Sequence, residues 1–191
     1  TDKGTDPVNL TAHSVTPNDD HCTASGTRPA AGSATRLSGS VSSYLTADGH
    51  DTFKEIIGDF TFAAWVYISN FYSLEASLFS VAAAGSSGES LSIYLTSSGY
   101  VQMKNGDAGC GSTGSSQLST GTWHHVIVTR NNDVVKYYTN NARRQTTTNH
   151  GCGWTPIHPT VSEGFFIGQK RAMSTTTTLV TSNMEAGDTT T

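Results

Sequence analysis

Charge is scarce in this sequence. Only 14% of its 191 residues are Asp, Glu, Lys or Arg, against roughly 25% in an average globular chain. A charged disordered region is therefore excluded. The residues that build soluble helices (Ala, Leu, Glu, Lys, Gln, Arg) are together thin, which excludes an all-helical protein. No basic stripe exists either: the eleven Lys and Arg are scattered, and only Arg143-Arg144 and Lys170-Arg171 are adjacent. With a net charge of -4, the chain cannot displace counterions as a nucleic-acid binder must. Long hydrophobic runs are missing too. The longest, Phe60 to Ile68, is strand-sized and far short of a membrane-spanning helix. The chain opens Thr1-Asp2-Lys3, without Met or a signal-peptide pattern, so the expectation is a processed chain or an excised piece from which any secretion signal would already be gone.

In place of charge the sequence has hydroxyls. More than a quarter of the residues are Ser or Thr, joined by 19 Gly and 7 Tyr, a composition of strands and turns. Three regions emerge. Residues 1–34, punctuated by Pro7, Pro17 and Pro29, form an extended N-terminal segment lying on a body, with Val8 to Ala12 as a candidate strand. Residues 35–171 alternate short apolar runs with Gly, Asn and Ser clusters, the rhythm of an antiparallel sandwich or barrel. Residues 172–191, with Thr175, Thr176, Thr177 and Thr178 in a row, read as a Thr-rich strand, linker or O-glycosylated tail.

Within the middle region, Phe60, Phe62, Ala64, Val66 and Ile68 share one face of a strand. Thr61, Ala63, Trp65 and Tyr67 share the other. Both faces are largely apolar, which predicts a central strand covered on both sides. Leu78 to Ala83, Leu91 to Thr96, Tyr100 to Lys104, Trp123 to Arg130, Val134 to Thr139, Arg143 to Thr148 and Phe165 to Gly168 follow as further strands. Asn131 to Asp133 and Asn140-Asn141 are the tight turns. One helical turn is offered, by Thr52 to Ile57. The total is ten to twelve strands, an all-β fold with almost no helix.

The order of five patterns resembles the laminin G-like and concanavalin A-like lectin-glucanase jelly-roll superfamily over about residues 35–171. The carrying stretches are Leu37 to Leu45, Gly58 to Tyr67 (GDFTFAAWVY), Gly121 to Thr129 (GTWHHVIVT), Asn131 to Arg144 with its YYTNN core, and Gly164 to Gly168. The resemblance implies an antiparallel β-sandwich of the jelly-roll type. It departs at the closing strand, where Thr175 to Ser182 offers only Leu179-Val180. Either that strand is degenerate and Thr-rich, or the chain stops before it and leaves an open edge that oligomer contacts could cover. Trp65 and Trp123 are expected to fill the inter-sheet core.

The candidate chemistry is sparse. Glycan-cleaving relatives carry alternating carboxylates on one strand, whereas Glu55, Glu75, Glu89, Glu163 and Glu185 stand far apart. Gly85 to Gly88 is not a nucleophile elbow, and Gly106 to Gly114 lacks a P-loop Lys and reads as a flexible loop. His124 and His125 fall on opposite strand faces and cannot chelate one metal. His150, Cys152 and His158 are a loosely spaced set that could hold a transition metal, but a disulfide uses the same Cys152 more naturally, and Asp107 and Asp133 form no cluster for calcium. No metal and no cofactor is expected. Glycine flanks both Cys110 and Cys152, allowing the close backbone approach of a disulfide between them and leaving Cys22 odd. Three unpaired thiols are the competing state. Asn9 heads the only N-glycosylation sequon.

These features predict a non-catalytic extracellular module for surface recognition, adhesion or assembly, binding a glycan or protein ligand. Contacts are expected at loops 106–116 and 149–158, where Trp154 and His150 are the candidate ligand residues. The competing expectation is a structural subunit of a filament, appendage or virion, a homo-oligomer whose partners are copies of itself joined through Thr-rich termini. No nucleic acid and no membrane insertion is expected in either case.

Overall fold

A computed structural model describes residues 11–13, 15–19, 34–37, 44–47, 59–71, 76–82, 89–105, 108–112, 116–131, 134–148, 165–168 and 179–182. These hold fourteen strands: β1 (Thr11–His13), β2 (Val15–Asp19), β3 (Ala34–Leu37), β4 (Tyr44–Ala47), β5 (Phe60–Ile68), β6 (Ala76–Ala82) and β7 (Glu89–Leu95), then β8 (Val101–Asn105), β9 (Ala108–Ser112), β10 (Trp123–Asn131), β11 (Val134–Thr139), β12 (Ala142–Thr148), β13 (Phe165–Ile167) and β14 (Leu179–Ser182). They form two antiparallel seven-stranded sheets. Sheet A runs β1-β4-β13-β6-β7-β8-β9, and sheet B runs β12-β11-β10-β5-β14-β3-β2. The described residues contain no helix, and the two sheets make the sandwich expected of a jelly roll. The helical turn expected over Thr52 to Ile57 lies outside the described residues.

The core between the sheets follows from strand alternation. On β5, Phe62, Ala64, Val66 and Ile68 are buried while Thr61 and Ala63 are exposed. Val126 and Val128 of β10 and Val135 and Tyr137 of β11 join them from sheet B, facing Leu78, Phe79 and Val81 of β6, Leu91, Ile93 and Leu95 of β7, and Val101 and Met103 of β8. Tyr137 spans the gap between the layers. It is fully buried, and its hydroxyl bonds the backbone of Met103 while burial pushes the phenol's pKa upward. That bond satisfies the one polar atom an inward-facing tyrosine brings into an apolar layer.

Turn chemistry sets the hairpins. Between β7 and β8, the Gly99 N–H donates to the Thr96 carbonyl at 2.9 Å, with Gly99 at φ 77°. A Cβ there would stand 2.7 Å from Phe71 Cζ and 3.0 Å from the Leu118 carbonyl oxygen, so glycine is demanded twice over. Between β11 and β12, Asn140 and Asn141 take φ 50° and 63°, the two positive values of a two-residue type I′ turn. Asparagine tolerates that region better than other side chains.

One open alternative is decided and three expectations need correcting. β14 is present, paired to β5 on one side and β3 on the other. The closing strand is thus the degenerate Leu-Val-Thr-Ser stretch, and that open edge is filled. Part of the glycine-rich run expected to be a flexible loop is β9, paired with β8 at the margin of sheet A. An edge strand needs a partner on only one side, and its glycines carry no alternation that would betray it. Trp65 and Trp123 do not fill the inter-sheet core. They form a second cluster with Tyr67, on the outward-facing positions of β5 and β10. The outer face of β5 is also less covered than expected, since Thr61 and Ala63 are exposed and Trp65 and Tyr67 half-buried.

Candidate functional site

The outward positions of β5 and β10 build an aromatic face on sheet B. Because Val66 and Val126 point inward, strand period two sends Trp65, Tyr67, Trp123 and His125 outward. Register then pairs them directly: His125 lies opposite Trp65, and Trp123 opposite Tyr67. The Trp65 and His125 rings stack with centroids 4.8 Å apart and an interplanar angle of 18°. Tyr67 and Trp123 meet at 5.6 Å and 55°, a tilted contact favoured by ring quadrupoles. Trp65, Tyr67 and His125 remain partly exposed, although the Trp65 and His125 rings each cover one face of the other. Trp123 is only 3% exposed, and its Nε1 is buried without a hydrogen-bond partner.

Behind this face, His124 points the other way. It is buried at one end of β10, and its ring bridges two connecting segments. The Asn140 carboxamide is oriented by its Oδ1, which accepts from the His125 backbone N–H at 2.9 Å. Asn140 Nδ2 therefore faces His124 Nδ1 at 3.3 Å and can only donate to it. Nδ1 is then the bare nitrogen, and Nε2 carries the proton toward the Ser119 carbonyl at 2.9 Å. Ser119 N lies 3.2 Å from that same Nε2, but a protonated nitrogen cannot accept, so the carbonyl contact is the bond. Burial lowers the pKa of His124 below 6.5, partly opposed by the Ser119 bond. The Asn140 N–H closes the cluster by donating to the His125 carbonyl at 2.8 Å.

Sheet A presents a different outer face. Register aligns Thr46, Phe166, Ser80, Ser92 and Lys104 in one row across five strands, with Ser77, Tyr94 and Gln102 in a second. Thr46, Ser77, Ser80, Ser92 and Tyr94 are all buried. The Tyr94 hydroxyl donates to Gln102 Oε1 at 2.6 Å, and Lys104 Nζ sits 4.6 Å over the Tyr94 ring. The Ser77 and Ser92 hydroxyls are buried without partners.

Of the residues singled out by sequence, Cys110 falls in β9, the strand of sheet A that lies against β11 and β12 of sheet B. Asn9, Cys22, His150, Cys152, Trp154, His158 and Thr175 to Thr178 lie outside the described residues, as do Asp107 and Asp133. Glu89 opens β7, and the other four glutamates also lie outside. Among the described residues, no three His, Cys, Asp or Glu side chains gather as a metal site would require. His124 and His125 do occupy opposite faces. The aromatic face itself was not anticipated as a site, although strand parity already separates Trp65 and Tyr67 from the core positions of β5.

A family model described as the concanavalin A-like lectin/glucanases superfamily, of laminin G type, matches residues 38–179. The chain belongs to this superfamily. No curated protein matches the sequence. Among solved structures, the fold is similar to the binding domain of Paraclostridial mosquitocidal protein 1, at a TM-score of 0.60 and 12% identity over 92% of this chain and 43% of that one. It is similar to botulinum neurotoxin type C, which enters cells dependent upon interaction with two ganglioside molecules, at 0.59 and 13% over 91% and 42%. It is also similar to a mutant Trypanosoma rangeli sialidase displaying trans-sialidase activity, at 0.57 and 14% over 82% and 25%. The chain thus spans a quarter to under half the length of these proteins.

Proposed function

We propose that the chain is a non-catalytic carbohydrate-recognition module working outside the cell, and that it holds sugar rings on the aromatic face of sheet B. The observation that carries this reading is the half-exposed pair of stacked rings, Trp65 and His125, beside Tyr67. Aromatic area kept accessible on an outer sheet face marks a binding surface more than a packing one. The apolar C–H faces of a pyranose suit such a surface, and its hydroxyls suit the imidazole and phenol edges around it. Ganglioside dependence of the botulinum neurotoxin supports the same ligand class, and the lectin membership of the superfamily agrees with it. The absence of an alternating carboxylate motif from the sequence supports binding without hydrolysis. The reading as a structural subunit loses one of its motives, because β14 fills the closing position.

A printed glycan array tests the proposal. Binding by the native chain, weakened in Trp65→Ala, is the expected result; equal binding by the variant would move the site elsewhere. Incubation with each bound glycan should release no shorter product, and release would make the protein an enzyme. An intact-mass spectrum under non-reducing conditions tests the extracellular assignment. A Cys110–Cys152 disulfide removes two hydrogens, and glycans on Asn9 or Thr175 to Thr178 add sugar-sized increments.

A further inference from the structure

We propose that His124 is an acid-sensitive latch, holding the Asn140-Asn141 turn against the end of β10 at neutral pH and releasing it when its ring takes a second proton, while the bond to Ser119 is kept. The geometry leaves the ring no comfortable charged state. Its Nε2–H is committed to the Ser119 carbonyl, so a new proton must go to Nδ1, which faces the Asn140 amide N–H group. Two donors would then oppose each other. Turning the carboxamide over would bring its oxygen to Nδ1, but would set its NH2 against the His125 N–H that now donates to Oδ1. One of the two bonds to Asn140 is lost either way, and Asn140 is exposed, so water can take its place.

Among the described residues, the surroundings offer the imidazolium no anion. Ser119 from the preceding segment, Asn140 from the turn and Val66 opposite on β5 are uncharged. Residues 116–122 contain no titratable side chain. The charges of the β11–β12 hairpin are Lys136, Arg143 and Arg144, all cationic, with Arg144 Nε donating to Thr139 Oγ1 at 2.8 Å. His125 points to the opposite face. Burial, which already depresses the His124 pKa, acts in the same direction. The sign is that of a base depressed on folding: the latch is intact above about pH 6.5 and weakens as pH falls toward the folded-state pKa.

Because Asn140 brackets His125 through both backbone bonds, release loosens the ring that stacks on Trp65. As regulation of sugar binding, the inference rests on the carbohydrate reading above; as a structural transition it does not. Amide hydrogen exchange of the full chain at about pH 7.5 and about pH 5.5, corrected for intrinsic rates, reads the latch directly. Each pH unit below about 6.5 should raise exchange in residues 139–142 about tenfold, until the folded-state pKa is reached, while residues 116–122 stay protected. His124→Gln, which keeps a donor for Ser119 and cannot titrate, should remove that pH dependence. Asn140→Asp should abolish the acid release, since a carboxylate facing Nδ1 accepts the new proton's bond and makes the charged ring the better-held form. Equal protection of the native chain at both pH values, or acid release unchanged in either variant, would overturn the proposal. A glycan array at the same two pH values separates the two readings. Acid-triggered exchange with no glycan bound at either pH leaves the latch standing and sinks the sugar site. Glycan binding with pH-independent exchange does the reverse.

Discussion

The two outer faces of this sandwich are built on the same plan and solved in opposite ways. On sheet A the outward face is rich in hydroxyls, with Thr46, Ser77, Ser80, Ser92 and Tyr94 all buried. On sheet B it is aromatic, with Trp65, Tyr67 and His125 half-exposed. A buried face of serines gains little from the hydrophobic effect and leaves two hydroxyls without partners. An accessible face of tryptophan and tyrosine leaves apolar area in water. Polarity is hidden on one side and apolarity displayed on the other, the reverse of what stability alone would arrange. The accessible face is therefore the one to read for recognition.

Substitution can break this contrast. The largest expected effect is at Tyr94, whose ring is wholly enclosed. Tyr94→Ala should cost about 3–5 kcal/mol in chemical denaturation, whereas Tyr67→Ala on the opposite face should cost about 1–2 kcal/mol. Equal losses would mean that the two faces are buried alike. Next comes the hairpin that presents Tyr94. Gly99→Ala must hold a side chain at positive φ against Phe71, and a loss of about 2 kcal/mol or more is expected by thermal or urea unfolding. Trp65→Ala should separate function from stability, weakening glycan binding about tenfold, the scale of one aromatic contact, while the chain still unfolds cooperatively. The smallest and most diagnostic change is Ser92→Ala. A buried hydroxyl with no partner costs about 1–3 kcal/mol of desolvation, so its removal should leave stability unchanged or raise it. A clear loss would show that Ser92 is held by a bond after all.

How much of this was legible in the sequence depended on what each strand uses for its signal. β5, β10 and β11 carry period-two burial in their own residues, and their positions and turns followed from that pattern. β9 and β14 carry almost none. The first is glycine around Cys110 and the second Leu-Val-Thr-Ser, and each is a strand because a neighbour supplies its hydrogen bonds. The aromatic face illustrates the same limit. Parity alone puts Trp65 and Tyr67 on one side of β5 and Trp123 and His125 on one side of β10. That those sides coincide, and that His125 lands on Trp65, is a matter of register between strands almost sixty positions apart. His124 was correctly separated from His125 by alternation, but its link to Asn140 required the type I′ turn to fold back beside it.

A single residue separates β1 from β2, yet β1 belongs to sheet A and β2 to sheet B. The chain therefore passes from one layer to the other across a single intervening residue, and stitches the same side of both sheets like a hem. The family match begins at residue 38, inside the hem. A fragment cut at that boundary would lose β1, β2 and β3 together, baring β4 in one layer and β14 in the other as unpaired edges. Two fresh edges on one side of a small β-sandwich are an invitation to aggregate, so a soluble excised domain should keep the sequence from Thr11 onward.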